Sequence, residues 1–569
     1  MKNHDPDLEE FIFHPDTVSM ILRNEIVTES FLMQHPYVRL GKILSGGYLI
    51  IYLNKNEIKN VAPDIINYSY NIYPIVLTLL GRASLEAAGI IQVHNQPYLD
   101  LRGNGVLLGF VDTGIDYHNE TFRHADGTSK IRYIWDQTIK GSPPIGYPFG
   151  SEYSRERINE ALNGDNPFVT VPHRDTVGHG TFLASVAGGK EIDEFIGAAP
   201  DAEIIAVKLK QASPFFYERY LVPAWQENAF TSDDVMMGIQ YIIEKSLELK
   251  RPVAICISLG SNLGGHNGFN TLEEYISRIA GITGIAICAA AGDESQAGHH
   301  TQGEFSLQGE SQNIEFRVGY NMPDVYISLW NHAADRLSVA VTSPAGEQIS
   351  RIPARPGTIY QTKLVLEQSE VIVEYLYPVQ RFGEQLTRVK VLSATPGIWT
   401  ITVYGDIVLD GTYHAWLPIT GLVDPGIRFL TPTPSFTIVS PATTMGIITC
   451  GAFDDRNNSL LPTSSWGPTR LPAIFPDLAA PGANVSGFYP NGFGTMSGTS
   501  VAAAITTGAS ALMLQWGIVE RNDISLDSFR LRSNLVAGCL RDPNQNYPNN
   551  QWGYGRLNLI NSFRSLRPV

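Results

Sequence analysis

The stretch "GNGVLLGFVDTGID", residues 103–116, places an uninterrupted apolar run between two Gly-containing turns. A strand that is apolar at every position is typical of a parallel sheet covered by helices on both faces. Asp112 closes this run, and open sheets of that kind bind ligands at the carboxyl ends of their strands. Asp112 is therefore the first candidate functional residue.

The same pattern continues from this stretch to Asp293, because apolar strand-like segments alternate with helical ones. The strand-like segments are "AEIIAVKL", "PVAICISLGS" and "IAICAAAGD", and the helical ones are "HGTFLASVAGG", "DDVMMGIQYIIEKSLEL" and "LEEYISRIAGITG". This alternation predicts an α/β fold with a parallel sheet and helices on both faces.

Residues 300–437 interrupt that alternation with short strands of period two, such as "VYISLWNH" and "TRVKVLSATPGIWTITVYG". They predict an inserted antiparallel β-sandwich or jelly roll, which stiffens the protein or shapes access for partners. Residues 1–82 mix short helices and strands and predict a small α+β unit. Residues 83–299 and 438–569 then form the two parts of one α/β domain.

Composition excludes some classes of partner. The 569 residues include 56 acidic and 41 basic side chains, a formal net charge of -15 that repels nucleic acids and anionic membranes. The N-terminus has no basic segment followed by an apolar one, so we expect synthesis without a secretory signal. No later window approaches the length needed to cross a bilayer, so we also expect no membrane span. Four widely spaced cysteines, Cys256, Cys288, Cys450 and Cys539, predict buried reduced thiols.

Three short motifs lie at the ends of predicted elements: "VDTGID" with Asp112, "GHGTFLA" with His179 and "GTSVAAA" with Ser500. Each alone could be a turn or a helix cap. Together they supply the carboxylate, imidazole and hydroxyl of a nucleophilic triad in the order Asp, His, Ser. The imidazole must take the proton of the serine hydroxyl, and the carboxylate must orient the imidazole, so Ser500 is predicted to be an acyl-transfer nucleophile.

In order along the chain, "FVDTGIDYHN", "GHGTFLASVAGG", "ISLGS", "AAAGDES", "FPDLAAPGANV" and "TMSGTSVAAA" resemble the subtilisin-like serine proteases. The N-terminal unit and the insertion before the serine make the chain most similar to the clostridial Csp proteases of spore germination. That resemblance implies an autoprocessing endopeptidase whose cleaved prodomain, here residues 1–82, stays bound. It also implies a protein substrate, the precursor of a spore-cortex lytic enzyme.

The resemblance carries further roles to matching positions. Ser258, Leu259, Gly260 and Ser261 match the segment that pairs with an extended substrate. Ala290, Ala291 and Gly292 match the opposite wall of the pocket for the residue before the scissile bond. The oxyanion of the reaction would be bound at Asp293 and at the Ser500 backbone amide. The expected self-cleavage lies near residues 78–86.

Two positions depart from the family pattern. The loop "GGKEIDEFIG" replaces an Asn-rich calcium loop, so no cofactor is expected, although Glu191, Asp193 and Glu194 could bind a cation weakly. Asp293 stands where the family has asparagine, and an ionised carboxylate accepts hydrogen bonds but donates none. A protonated Asp293 could still donate to the oxyanion.

Two functions remain open from the sequence. The chain is either an active endopeptidase or a pseudoprotease that binds or signals on a protease scaffold, and the intact triad favours activity. A lipase or esterase is disfavoured because no G-x-S-x-G motif surrounds Ser500.

Overall fold

The apolar stretch that closes at Asp112 forms a buried strand in the middle of the largest sheet. The computed structural model describes residues 6–65, 72–79, 88–94, 96, 99–379 and 383–566. Alternate residues of this strand belong to two different cores. Leu108 and Phe110 join the cluster on one face of the sheet, and Leu107 and Val111 join the cluster on the other.

The N-terminal unit is a three-stranded antiparallel sheet with short helices. A further strand and helix follow it before the main domain. These elements are α1 Pro6–Ile12, β1 Thr17–Arg23, α2 Glu29–Gln34, β2 Arg39–Leu44, β3 Tyr48–Asn54, α3 Ile58–Ile65, β4 Val76–Leu79 and α4 Ile90–His94.

The first part of the α/β domain supplies most strands of the nine-stranded sheet. Its elements are β5 Leu107–Asp112, β6 Ile131–Asp136, β7 Ser151–Ser154, α5 Arg155–Leu162, α6 Pro167–Thr170, α7 His179–Gly188, β8 Glu203–Lys208, α8 Pro214–Tyr220, β9 Phe230–Thr231, α9 Ser232–Leu249, β10 Val253–Ile257, β11 Leu259–Gly260, α10 Thr271–Ile279 and β12 Ile285–Ala290.

The inserted β unit consists of two antiparallel sheets, one of six strands and one of five, that enclose a common core. Its strands are β13 His300–Glu304, β14 Ser311–Val318, β15 Val325–Asn331, β16 Arg336–Thr342, β17 Gln348–Ile352, β18 Ile359–Lys363, β19 Glu370–Leu376, β20 Gln385–Leu392, β21 Gly397–Ile407, β22 Thr412–Trp416 and β23 Arg428–Phe429. The predicted extra β domain is thus present.

The chain then returns to the main sheet. The remaining elements are β24 Ile448–Asp454, β25 Ser459–Leu460, β26 Leu478–Pro481, β27 Val485–Tyr489, β28 Gly492–Met496, α11 Thr499–Leu514, α12 Ser528–Gly538 and α13 Leu559–Ser565.

The order of the main sheet is β25-β24-β12-β10-β5-β8-β6-β7, with β26 beside β24. Pairing is parallel from β26 to β6, and β25 and β7 add antiparallel edges. This confirms the predicted α/β class with helices on both faces. Because β12, β10 and β5 are neighbours, their carboxyl ends meet at one edge of the sheet.

The helix that begins at Thr499 differs from one expectation. Together with the π-helical turn that follows, it runs from Thr499 to Val519 and is long and apolar enough to cross a membrane. The expectation that no segment reaches that length is therefore wrong for this helix. Its apolar window is 89% buried inside the protein, where its many small residues pack against the sheet and α7.

The four cysteines are buried free thiols, as predicted. Burial raises the pKa of Cys288 to about 11 and those of Cys256 and Cys539 to about 12. These thiols therefore stay protonated and pack as small apolar side chains.

Polar contacts at the edge of an apolar interface attach the N-terminal sheet to α9 and α10. Arg23 and the Tyr48 hydroxyl both contact Glu274 Oε2, at 3.0 and 2.8 Å, and Lys42 lies 3.0 Å from Glu244. Partly exposed ion pairs contribute little stability, so burial of the strand β3 against α9 supplies most of the attachment.

Two carboxylates are buried in the first turn of α9. Asp233 has no hydrogen-bond partner for either oxygen among the described residues, and Asp234 Oδ2 lies 2.6 Å from Lys210 Nζ. Burial raises the pKa of Asp234 to about 7 despite the attraction of Lys210. The folded protein therefore keeps a proton on Asp234 that the unfolded chain releases near pH 4.

This proton makes stability fall as pH rises from about 4 to about 7, because the folded state binds more protons than the unfolded state over that interval. Asp234→Asn removes the titration, so its melting temperature relative to wild type should rise across that interval and level off above about pH 8. Thermal unfolding of both chains measures the difference. The exposed Asp165→Asn is the control, and an equal trend in the two variants would contradict the assignment.

Candidate active site

Asp112 and His179 form a direct pair at the carboxyl edge of the sheet. Asp112 ends β5 and His179 opens α7, and their side chains are 2% and 7% exposed. His179 Nδ1 lies 2.9 Å from each carboxylate oxygen of Asp112. This contact fixes the orientation of the imidazole ring, with Nδ1 toward Asp112.

Asp175, which the sequence analysis missed, holds the loop that enters α7. Its Oδ1 accepts from the Gly178 amide at 2.7 Å and from the Thr113 hydroxyl at 2.9 Å. Its Oδ2 accepts from the amide and hydroxyl of Thr181. One buried carboxylate thus caps the helix that begins at His179 and ties it to the residue after Asp112.

A second buried His–Asp pair supports the same loop and was also missed. His173 Nδ1 lies 2.6 Å from Asp136 Oδ2, and both side chains are fully buried. His173 Nε2 lies within hydrogen-bond distance of the Ile115 backbone. The pair therefore positions the turn that follows Asp112.

The other end of α7 is closed by Lys130, whose side chain is 1% exposed. Its ammonium contacts the last carbonyl of the helix, Gly188 O, at 2.5 Å, and also contacts Pro200 O. Burial lowers the pKa of Lys130 to about 7. The amine donates to these carbonyls in either protonation state, so side chains from neighbouring segments hold both ends of α7.

Ser500 lies in the first turn of α11, and it is fully buried with Thr499. Gly498 precedes the helix with φ 136°, a backbone conformation that favours glycine. The Ser258 hydroxyl donates to Ser500 O at 3.3 Å, which joins the end of β10 to this turn. Since α11 also packs against α7, the three predicted triad residues share one edge of the sheet.

Asp293 contacts the same helical turn from the end of β12. Its two carboxylate oxygens lie 3.3 and 3.4 Å from the Thr499 amide nitrogen, and Oδ2 lies 3.2 Å from the Thr499 hydroxyl. The Thr463 hydroxyl donates to Oδ1 at 3.4 Å. The Thr499 amide can only donate, so Asp293 accepts here and caps the first turn of α11.

The predicted substrate segments occupy the space between these residues. Leu259 and Gly260 form β11, which pairs antiparallel with β4. Ser261 pairs with Ser440, and the Gly292 amide donates to the Thr499 hydroxyl at 3.1 Å. The two predicted walls therefore flank the start of α11.

The altered loop after α7 offers few cation ligands. Glu191 lies 3.9 Å from Arg102, and residues 192 and 195 close a short bridge. Among the described residues no cluster of three or more His, Cys, Asp or Glu side chains could hold a metal ion.

Comparison with known families identifies one match. The subtilase family model, Peptidase_S8, matches residues 103–327 and 432–555. Most of the inserted β unit falls in the gap between these two segments.

Among solved structures, the CspB protease of Clostridium perfringens is 31% identical with a TM-score of 0.75. The match covers 85% of this chain and 99% of that one. Among curated proteins, the serine protease AprX of Bacillus subtilis is 32% identical over 22% of this chain and 32% of its own length. The subtilase-type proteinase RRT12 of Saccharomyces cerevisiae is 30% identical over 18% and 21%. The chain thus spans about a fifth to a third of these curated relatives.

Asp293→Asn should raise peptide hydrolysis at neutral pH by at least about tenfold, because the amide oxygen can keep the Thr499 contact while the amide nitrogen donates to an oxyanion. Initial rates on a fluorogenic peptide measure the effect. Asp293→Ala is the matched control, since it supplies neither group and should show no gain. A rate for Asp293→Asn below wild type from pH 5 to 9 would mean that the carboxylate has a role of its own.

Proposed function

Because the chain belongs to the subtilase family, we propose that it is a serine endopeptidase that cleaves itself once and then a protein substrate. Ser500 Oγ attacks the peptide carbonyl carbon while His179 Nε2 takes the hydroxyl proton. Asp112 stabilises the imidazolium, since both of its oxygens face Nδ1 at 2.9 Å. The Ser500 backbone amide, in the first turn of α11, donates to the developing oxyanion.

The remaining steps return the enzyme to its starting state. His179 gives its proton to the leaving amine as the C–N bond breaks, which leaves an acyl group on Ser500. Water then attacks this ester, His179 accepts a proton from it, and the acid product departs as Ser500 regains its hydrogen. No step needs a metal ion or a cofactor.

The observation that carries the proposal is β4, an extended segment. It is the middle strand of a small sheet with β11 and β9, and β11 belongs to the predicted substrate segment Ser258–Ser261. We call the space between β11 and β9 the cleft. The strand β4 pairs antiparallel with β11 through Leu79 and Thr78 and with β9 through Leu77 and Val76. Backbone pairing with a strand of the enzyme is a general mode of peptide recognition. This pairing supports residues 76–79 as a bound substrate or product strand.

Two contacts upstream extend this path. Ile75 and Ser232 exchange hydrogen bonds of 2.9 and 3.0 Å, and the Tyr220 hydroxyl donates to Pro74 O at 3.1 Å. Residues 74–79 thus contact the α/β domain along their whole length. The proposed cleavage near residues 78–86 starts at the end of β4, and residues 80–87 lie outside the described part of the chain.

The proposed protein substrate is the precursor of a spore-cortex lytic enzyme. The similarity to the CspB protease over most of both chains supports this choice. The same similarity supports residues 1–82 as a prodomain that remains bound after cleavage. The pseudoprotease alternative is favoured only by Asp293, which offers an acceptor where a donor is expected.

Ser500→Ala and His179→Ala should each abolish self-cleavage, because nucleophile and base act as one unit. Intact-mass analysis of the purified chain detects the loss of the N-terminal fragment, and a fluorophosphonate probe should label wild type but not Ser500→Ala. Ser497→Ala and His118→Ala are the matched controls and should still be cleaved. An uncleaved wild-type chain that also fails to react with the probe would favour the pseudoprotease.

Deletion of residues 1–80 should yield insoluble or misfolded protein, because a sheet built from distant pairings folds slowly without a template. Solubility and circular dichroism measure the outcome. Supplying residues 1–80 as a separate chain during refolding should restore soluble protein. A deletion variant that folds and cleaves peptides normally would contradict a chaperone role.

A further inference from the structure

The inserted β unit reaches the cleft through a tight turn at residues 419–422. The Leu422 amide donates to Ile419 O at 2.9 Å, and Gly421 has φ +93°. A positive φ at the third position of a four-residue turn is typical of a type II turn and requires glycine. We call this element the 419–422 turn.

Two side chains of the α/β domain hold the 419–422 turn in place. The Thr420 amide donates to Glu294 Oε1 at 3.0 Å, and Gln226 Nε2 donates to Gly421 O at 2.8 Å. Glu294 is itself buried and pairs with His299 at 2.6 Å. These hydrogen bonds therefore fix the position of the turn relative to the α/β domain.

The turn lies against one face of β4. A Cβ atom added at Gly421 would sit 3.4 Å from Thr78 Cγ2 and 3.8 Å from Thr78 Oγ1. The side chain of Thr78 is 3% exposed. Since Gly260 of β11 pairs with Thr78, this residue is enclosed by β11 on one side and by the inserted unit on the other.

The two faces of β4 pack against different parts of the protein. Successive strand residues point to opposite faces, so Val76 and Thr78 share one face. Val76 belongs to the buried cluster that contains Ile419 and Leu422. Leu77, on the other face, belongs to the cluster of Phe230 and Leu259.

We propose that the 419–422 turn is a specificity element: it closes a subsite for the substrate residue that pairs with Gly260 and admits only small side chains there. The ligand is an extended peptide with Thr, Val, Ser or Ala at that position. This inference rests on the proposed function, because it assigns β4 to the path of substrate. It gives the inserted unit a direct part in choosing what is cleaved.

Substitutions at Thr78 test the size limit. Thr78→Phe should slow self-cleavage at least about tenfold, because a closed subsite has no room for a ring, whereas Thr78→Ser, which is smaller and keeps the hydroxyl, should stay within about twofold. The rate is followed by intact mass after synthesis in a cell-free system. Ile43→Phe, on the exposed side of β2, is the matched control and should be cleaved like wild type. Unchanged cleavage of Thr78→Phe would overturn the proposal.

A double-mutant cycle tests the role of the inserted unit. Gly421→Ala adds a methyl group 2.9 Å from Gln226 Nε2 and 3.4 Å from Thr78 Cγ2, and it should slow self-cleavage more in the wild-type chain than in the Thr78→Ala background, because the Gln226 contact is common to both. Backbone strain at φ +93° is common to both backgrounds and cancels in the comparison. If Gly421→Ala slows self-cleavage by the same factor in both backgrounds, the turn does not discriminate between side chains at position 78.

A readout without catalysis separates this inference from the proposed function. In the Ser500→Ala chain, thermolysin should cut within residues 76–79 at least about tenfold faster when Thr78→Phe is present, since the strand can no longer dock. Melting temperatures of both chains control for general unfolding. Full protection of Thr78→Phe would overturn the subsite, even if the wild-type chain proves inactive.

Discussion

The pairing of β12, β10 and β5 is the constraint on which the active site depends. Parallel strands in adjacent positions must end at the same edge of a sheet, and these three end at Ala290, Ile257 and Asp112. Every residue of β5 is buried, so a slip in register would move apolar side chains out of both cores. The positions of Asp112, Ser258 and Asp293 thus follow from how the cores are packed.

Hydrogen bonds from neighbouring segments then refine the geometry at this edge. Asp175 and Asp293 act in the same way, since each carboxylate caps the N-terminus of a helix that carries a proposed catalytic residue. The first helix begins at His179 and the second contains Ser500 in its first turn. Asp293 thus caps the turn that contains Ser500 through its contacts with Thr499, and the predicted oxyanion role would draw on the same side chain.

The fold and the proposed triad could be predicted because their signals are local. An apolar strand that closes on Asp112, and short Gly-rich motifs around His179 and Ser500, can be recognised within about ten residues each. The supporting roles of Asp175 and His173 could not be predicted. Only the tertiary structure shows which distant groups their side chains contact. The length of the apolar helix Thr499–Val519 was not predicted, because its many small and hydroxyl-bearing residues make the segment look less apolar than a membrane-spanning helix. The packing of the 419–422 turn on Thr78 joins residues more than three hundred positions apart and has no sequence signal.

A peptide strand in an open cleft keeps one face toward solvent and can lift away from the enzyme. In the strand β4, Val76 and Leu77 are fully buried and Thr78 is 3% exposed, and the 419–422 turn of the inserted unit lies beside Thr78. If β4 is the product strand proposed above, its release requires the backbone hydrogen bonds to β9 and β11 to break. Each further paired residue adds hydrogen bonds of this kind, so the length of the paired segment sets how long that product stays bound.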